Sequence, residues 1–199
     1  MKNLLATLLL LISTSVWAQD TISVSYSSTE DTYLKSLMEF QGIQGYKVTV
    51  RGTMKDMPYK LYLVKCKEGK IEKEELAKDV PCKMDSVGNF NFFAQPENKD
   101  TLHLSCSYRV GLNLHIPVST EGQILMEVFP EKPYTINTPI PLIAYTAGEA
   151  VEFNINGQKM KGSSYCNVRF SKTHPSEWYQ KFKIKDYFYF ELEFQPSSK

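Results

Sequence analysis

The sequence predicts an all-β protein built as an antiparallel β-sandwich, and three observations carry that expectation. Apolar and polar residues alternate with period two in one segment after another, which is how a strand with one buried and one wet face reads. Tyr (12) and Phe (11) are abundant, as expected where sheet faces favour large aromatics. Helical periodicity is confined to a few short stretches. Strands at short intervals with little helix between them favour a sandwich over parallel βαβ units.

The N-terminal stretch MKNLLATLLLLISTSVWAQD sets Lys2 ahead of an apolar run from Leu4 to Ile12. Val16 and Ala18 then supply the small-residue pattern that signal peptidase reads. Residues 1–18 are therefore expected to be a signal peptide cleaved after Ala18, and the protein to be secreted or periplasmic. The run is shorter than the ~20 residues a membrane-spanning helix needs. Residues 19–199 suffice for one large or two small β domains at ~100–200 residues per domain.

Leu34, Leu37, Met38 and Phe40 fall at helical spacing behind Thr29-Glu30-Asp31, a capping region, and Gly42 and Gly45 end the segment. Tyr46, Val48 and Val50 then share one face of a strand, with Lys47, Thr49 and Arg51 on the other. The same alternation recurs in Leu102-Leu104-Cys106-Tyr108, Leu112-Leu114-Ile116-Val118, Ile124-Met126-Val128 and Val151-Phe153-Ile155. Asn156-Gly157, both tolerant of positive φ, predict a tight hairpin turn into Gln158–Lys161. Two more short helical turns are expected, at Ile71–Lys78 and Pro175–Gln180. Pro130, Pro133, Pro139 and Pro141 cluster in FPEKPYTINTPIP, where proline removes backbone donors and fixes φ. Read as a connector, residues 130–141 separate an N-terminal sandwich at 19–129, with its short leading helix, from a second, smaller β unit at 142–199.

The stretch DSVGNFNFFAQPENKDTLHL offers Asn89, Asn91, Glu97, Asp100 and His103 as a set of ligand donors. Period and turn chemistry explain the same residues. Phe90 and Phe92 alternate with Asn89 and Asn91, Leu102 and Leu104 with Thr101 and His103, and Gln95–Asp100 is a polar connector containing a proline. The stretch reads as framework.

From Val48 to Tyr108 the chain runs VTVRG, YKLYLVKC, a charged excursion, DSVGNFNF and DTLHLSCS. This order resembles the transthyretin-like or carboxypeptidase-regulatory-like β-sandwiches of exported Bacteroidetes proteins. It is most similar to the domain of unknown function that precedes thioredoxin-like domains in some of them. Val50-Arg51-Gly52, Lys60-Leu61-Tyr62-Leu63 and Asp85-Ser86-Val87-Gly88-Asn89-Phe90-Asn91-Phe92 carry the likeness, over about residues 46–108. It implies a transthyretin-like or immunoglobulin-like sandwich, an exported setting and a scaffold or adaptor role. No Cys-x-x-Cys is present, so it implies no activity.

Charge is balanced, with 23 Lys+Arg against 22 Asp+Glu, which gives no basic footprint for nucleic acid. Cys66, Cys82, Cys106 and Cys166 are an even set that in an oxidising compartment argues for two disulfides. Of three connectivities, Cys66–Cys82 with Cys106–Cys166 is the preferred one, and free buried thiols are the alternative. No cofactor is implied. His103 and His115 are expected as near neighbours across a hairpin. Two imidazoles alone fall short of the three or four donors zinc takes; Asp100 or Glu127 could contribute, but nothing in the sequence fixes them there, so no metal ligands are assigned.

No hydrolase signature is present, so no catalytic residues are assigned. Glu191 and Glu193 share one strand face ~7 Å apart, a separation glycosidases use and also that of any exposed strand. FKIKDYFYFELEF places Phe182, Ile184, Phe188, Phe190, Leu192 and Phe194 on one face and Lys183, Lys185, Tyr187, Tyr189, Glu191 and Glu193 on the other. Tyr187 and Tyr189, with Trp178 and Tyr179, are the candidate binding residues if exposed, since aromatics with polar tips suit sugars or proteins. A second layer covering that face is the alternative. The expected function is a non-enzymatic scaffold or binding module of the bacterial envelope with a protein or glycan partner. Next come a surface-assembly subunit pairing through the C-terminal strand, and then a glycan-active hydrolase.

Overall fold

The computed structural model describes residues 21–78 and 80–195 of the 199-residue chain, so the expected signal peptide lies outside the described residues. Thirteen strands account for most of it, in the order β1 (Thr21–Ser27), β2 (Gln44–Arg51), β3 (Tyr59–Lys67), β4 (Lys70–Leu76), β5 (Val87–Asn98), β6 (Thr101–Ser107), β7 (Gly111–Pro117), β8 (Ile124–Glu127), β9 (Tyr134–Thr135), β10 (Ile140–Thr146), β11 (Glu149–Ile155), β12 (Gln158–Ser164) and β13 (Asp186–Phe194). The helices are α1 (Thr32–Phe40), α2 (Tyr165–Arg169) and α3 (Trp178–Phe182), the last preceded by a 3-10 turn at Pro175–Glu177. No helix among the described residues is long and apolar enough to cross a membrane.

Two antiparallel sheets face each other. One has the order β7-β6-β5-β2-β1-β9 and the other β4-β3-β13-β10-β8. Their facing sides meet as the alternation predicts. Val48, Val50, Phe90, Phe92, Leu102 and Leu104 of the first sheet pack with Leu61, Leu63, Phe188, Phe190 and Leu192 of the second in one buried core. Burying each such side chain contributes about 1.5–3 kcal/mol, so the period-two pattern and the core are one fact seen twice.

β13 lies between β3 and β10, hydrogen-bonded to both. The strands on either side of residues 130–141, β8 and β10, are also neighbours in that sheet. The Pro-rich stretch therefore links partners within one sheet instead of separating two cores. Of the unit expected at 142–199, only the β11–β12 hairpin is a sheet of its own. The alternation identifies strands, but not their partners. Pro141 is accommodated where the β10–β13 register shifts, between Pro141 and Ile143.

The outer face of the second sheet carries a third layer. Tyr187 and Tyr189 of β13, Val64 and Cys66 of β3 and Ala144 of β10 are buried with Val168 of α2, Trp178 of α3 and Ile184. Both faces of β10 and β13 are thus covered, which explains why almost every residue in them is buried.

Two expectations fail locally. Ile71–Lys78 is not helical: Lys70–Leu76 form β4, joined to β3 by a turn in which Glu68 and Gly69 both have positive φ. Gln95–Asp100 is not mainly connector, because β5 runs on to Asn98. β2 stops pairing at Ala94, leaving Pro96 with a partner on the β6 side only, where a proline is tolerated. The helical turn at Pro175–Gln180 and the Asn156-Gly157 hairpin form as expected, the latter with φ of 52° and 84°. Asp31 caps α1 by accepting from Leu34 N–H at 2.9 Å.

Candidate functional site

The sandwich is sealed along one side and open along the other. On the sealed side, Tyr26 Oη donates to the Val128 carbonyl at 2.7 Å, and Leu125 N–H donates to Gln44 Oε1 at 2.6 Å, tying the two sheets together. The open side is the seam between edge strands β4 and β7. β4, with sequence KIEKEEL, carries five charged residues in seven. Pairing with β3 turns Glu72 and Glu74 to the same side as Lys65 and Leu63, toward the seam. Inward charges of this kind discourage packing and edge pairing alike.

β7, with sequence GLNLHIP, carries no acidic or lysine/arginine residue. Its inward residues Leu112 and Leu114 are only half-buried, while Phe92 and Leu104, deeper in the same sheet, are fully buried. The difference follows from their place on an edge strand, which has no neighbour beyond it in the sheet.

A cavity of about 420 Å³ opens at one end of this seam. Tyr59, Leu61, Leu76, Phe90, Cys106 and Leu112 supply apolar walls, and Val80, Pro81 and Cys82 line it as well. Tyr59, Phe90 and Tyr108 form an aromatic cluster with centroids 4.8–6.2 Å apart. Tyr108 Oη donates to Asp85 Oδ2 at 2.9 Å and accepts from Asp85 N–H at 3.1 Å, fixing one rim. Burial drives the Tyr59 hydroxyl well above the ordinary tyrosine range, and the neighbouring Cys82 adds to the shift. A second cavity of about 420 Å³, lined by Lys65, Lys67, Glu72, Ile116 and Val118, lies at the other end. A groove of this size, mostly apolar with a few polar groups, is what a ligand or a partner's side chains occupy.

The aromatic residues put forward as a binding platform are not one. Trp178, Tyr187 and Tyr189 are 1%, 1% and 2% exposed, and only Tyr179 is partly accessible. Trp178 Nε1 donates to the Thr173 carbonyl at 3.1 Å, and Tyr187 Oη to the Pro175 carbonyl at 2.6 Å. The polar tips of Trp178 and Tyr187 are consumed in hydrogen bonds to the Thr173–Pro175 segment that leads into α3. The assignment of faces holds within β13, but Phe182 and Ile184, expected on the Phe188 face, pack with Tyr187 and Tyr189 instead, because α3 runs to Phe182 and the strand starts only at Asp186; the short helices cover the tyrosine face.

Glu191 and Glu193 do share a face, and Lys73 bridges them, with Nζ 2.6 Å from Glu191 Oε1. The cation fills the space between the carboxylates where a sugar would have to sit. Glu191 Oε2 lies 3.9 Å from His174 Nε2, and His174 Nδ1 is 2.8 Å from Ser176 Oγ. This sequence of serine, histidine and acid resembles a relay, but 3.9 Å is beyond hydrogen-bond reach. His174 Nδ1 also accepts from Ser176 N–H as the cap of the 3-10 turn. Burial lowers the His174 pKa, against the attraction of Glu191, making it a weaker base.

His103 and His115 pair across β6–β7 as expected, rings stacked at 5.1 Å, and His115 Nδ1 is 2.9 Å from Glu97 Oε1. Glu127 pairs instead with Arg169 at 2.8 Å. Among the described residues no group of three or more His, Cys, Asp or Glu is placed to hold a metal ion.

All four cysteines are free. Cys66 is buried in the outer core, Cys106 in the inner one, Cys82 half-buried beside the inner core, and Cys166 exposed on α2. The expected Cys66–Cys82 and Cys106–Cys166 bridges are not present. β3 explains the first, since its alternation sets Cys66 on the face opposite Tyr59 and Leu61, where Cys82 packs. Alternation alone does not reveal the seam. Its signal was the uncharged GLNLHIP beside the heavily charged KIEKEEL. The chain matches no protein-family model, no curated protein and no solved structure.

Proposed function

We propose that this protein is a non-enzymatic binding module of the bacterial envelope that holds an extended segment of a partner protein along β7. One observation carries the reading: β7 is a seven-residue sheet edge free of lysine, arginine and carboxylate, with half-buried Leu112 and Leu114 on its inner face and Leu112 lining an apolar cavity. An added strand would take main-chain hydrogen bonds from β7 and set alternate side chains into the seam. The charged β4 edge does not offer this.

The exported setting rests on the Lys2, Leu4–Ile12 and Ala18 pattern, and the scaffold character on the likeness of residues 46–108 to transthyretin-like sandwiches. A glycan partner loses its support with the burial of Trp178, Tyr187 and Tyr189. Assembly through the C-terminal strand would require β13 to give up β3 or β10, both already paired to it.

Random peptides displayed on phage and selected on the full chain test the proposal. Selected sequences should alternate apolar residues. Leu114→Lys should weaken them by about tenfold or more, the equivalent of ~1.4 kcal/mol. Ile71→Lys, on the outward face of β4, should leave them unchanged. Peptides indifferent to Leu114→Lys would refute the reading, as would a failure to select any.

A further inference from the structure

We infer that Cys82 and Cys106 form a modification site: a disulfide-forming pair that closes the mouth of the seam cavity. Both thiols line the same cavity. Cys106 projects from the inner face of β6, between Phe92 on β5 and Leu112 on β7. Cys82 is held above the start of β3, where Tyr59 N–H donates to the Cys82 carbonyl at 3.1 Å. The next residue, Lys83, bridges to Pro58, and Met84 N–H donates to the Met57 carbonyl at 2.9 Å. Cys82 packs against the same inner core that holds Cys106.

The other two cysteines stand apart from this pair. Cys66 faces the outer core and Cys166 is exposed on α2. Of the three ways to pair four cysteines, one alone joins two thiols that share a cavity.

The chemistry is thiol–disulfide exchange with an external disulfide, either a small one or that of an oxidoreductase in an oxidising compartment. Cys82, the more accessible thiol, attacks as its thiolate, expels one thiol and forms a mixed disulfide. Cys106 then attacks the Cys82 sulfur and expels the second thiol. Two protein thiols and one disulfide become one protein disulfide and two thiols, so electrons and protons balance. Burial pushes the Cys106 thiol up to about 12, which makes the second step the slow one. The bridge would anchor the segment at Val80–Cys82 to β6, across the opening that Leu112 and Tyr59 flank.

The test uses the full chain, reduced and then exposed to oxidised glutathione at graded ratios. Tryptic digestion without reduction, read by mass spectrometry, reports the pairing. The expected product is a Cys82-containing peptide joined to a Cys106-containing one, absent from Cys82→Ser. Stable glutathione on Cys82 with Cys106 still reduced would overturn the inference. So would pairing of either cysteine with Cys66 or Cys166, or no reaction at all.

A second readout rests on the proposed function. Affinity for phage-selected peptides should fall at least tenfold on oxidation and return with dithiothreitol. A Cys82–Cys106 bridge that leaves peptide affinity unchanged would refute the cavity's part in binding while the bridge itself stands.

Discussion

Removing the Tyr187 hydroxyl tests whether the C-terminal aromatics are a structural layer or a binding surface. Tyr187→Phe keeps the ring against Trp178, centroids 5.5 Å apart, and deletes only the donor to the Pro175 carbonyl. That carbonyl then stays buried without its partner, a defect that costs about 1–3 kcal/mol. For a domain of this size, each kcal/mol lowers Tm by roughly 2–4 °C, so a fall of roughly 2–12 °C is expected. Trp178→Ala removes the ring that α3 lays on the sheet and should cost about 3–5 kcal/mol, a large share of the 5–15 kcal/mol typical of a whole protein. Because the two residues touch, the double variant should lose less than the sum of the singles. Urea denaturation followed by circular dichroism measures each loss as a shift in midpoint at constant slope. An unchanged midpoint for Tyr187→Phe and a loss below ~1 kcal/mol for Trp178→Ala would refute the claim that these residues form a core.

Lys73→Met should destabilise by about 1–3 kcal/mol, discounted from the full buried-pair value because the lysine is partly exposed. Glu191→Gln in the same chain should recover part of the loss, since it removes the carboxylate left unpaired; thermal melts of the single and double variants decide it. His174 is held below its ordinary value of 6.5 by burial, against Glu191 and Glu177 and with help from Lys73. The unfolded chain therefore binds its proton first, so this residue's effect is nil above about pH 7 and costs stability as pH falls through 6.5. Urea midpoints from pH 7.5 to 5 should drop more steeply for the native protein than for His174→Asn, and equal slopes would exclude the effect. Leu114→Lys should cost less stability than the same change at fully buried Leu104, since Leu114 is only partly buried against the core; an equal loss in the same titration would place Leu114 in the core instead of the seam.

Much of this architecture is legible in the sequence, and the part that is not has physical reasons. Alternation locates the strands and orients β13, because period two survives whatever the partner is. Partner choice does not follow from it: nothing local in YFYFELEF says that β3 and β10 flank it. The outer layer is hidden for a related reason. Trp178 and Val168 sit in helices of five residues, too short to show a 3.6-residue period, yet they cover the tyrosine face of the sheet. KIEKEEL reads as helix because Lys and Glu favour helices. Its place at a sheet edge makes the same charges useful against unwanted pairing, and context overrides propensity. His103 and His115 meet as expected, because a hairpin register is a local matter. The cysteine pairing fails because it depends on which face each strand turns inward after the sheets have stacked.

The claim that β7 accepts a strand is tested most directly by amide hydrogen exchange with a selected peptide bound. Slowed exchange is expected at alternate amides within Gly111–Ile116, the ones that face away from β6, with β4 unchanged. Protection confined to α1, to the β11–β12 hairpin or to β4, with β7 exchanging as in the free protein, would contradict it.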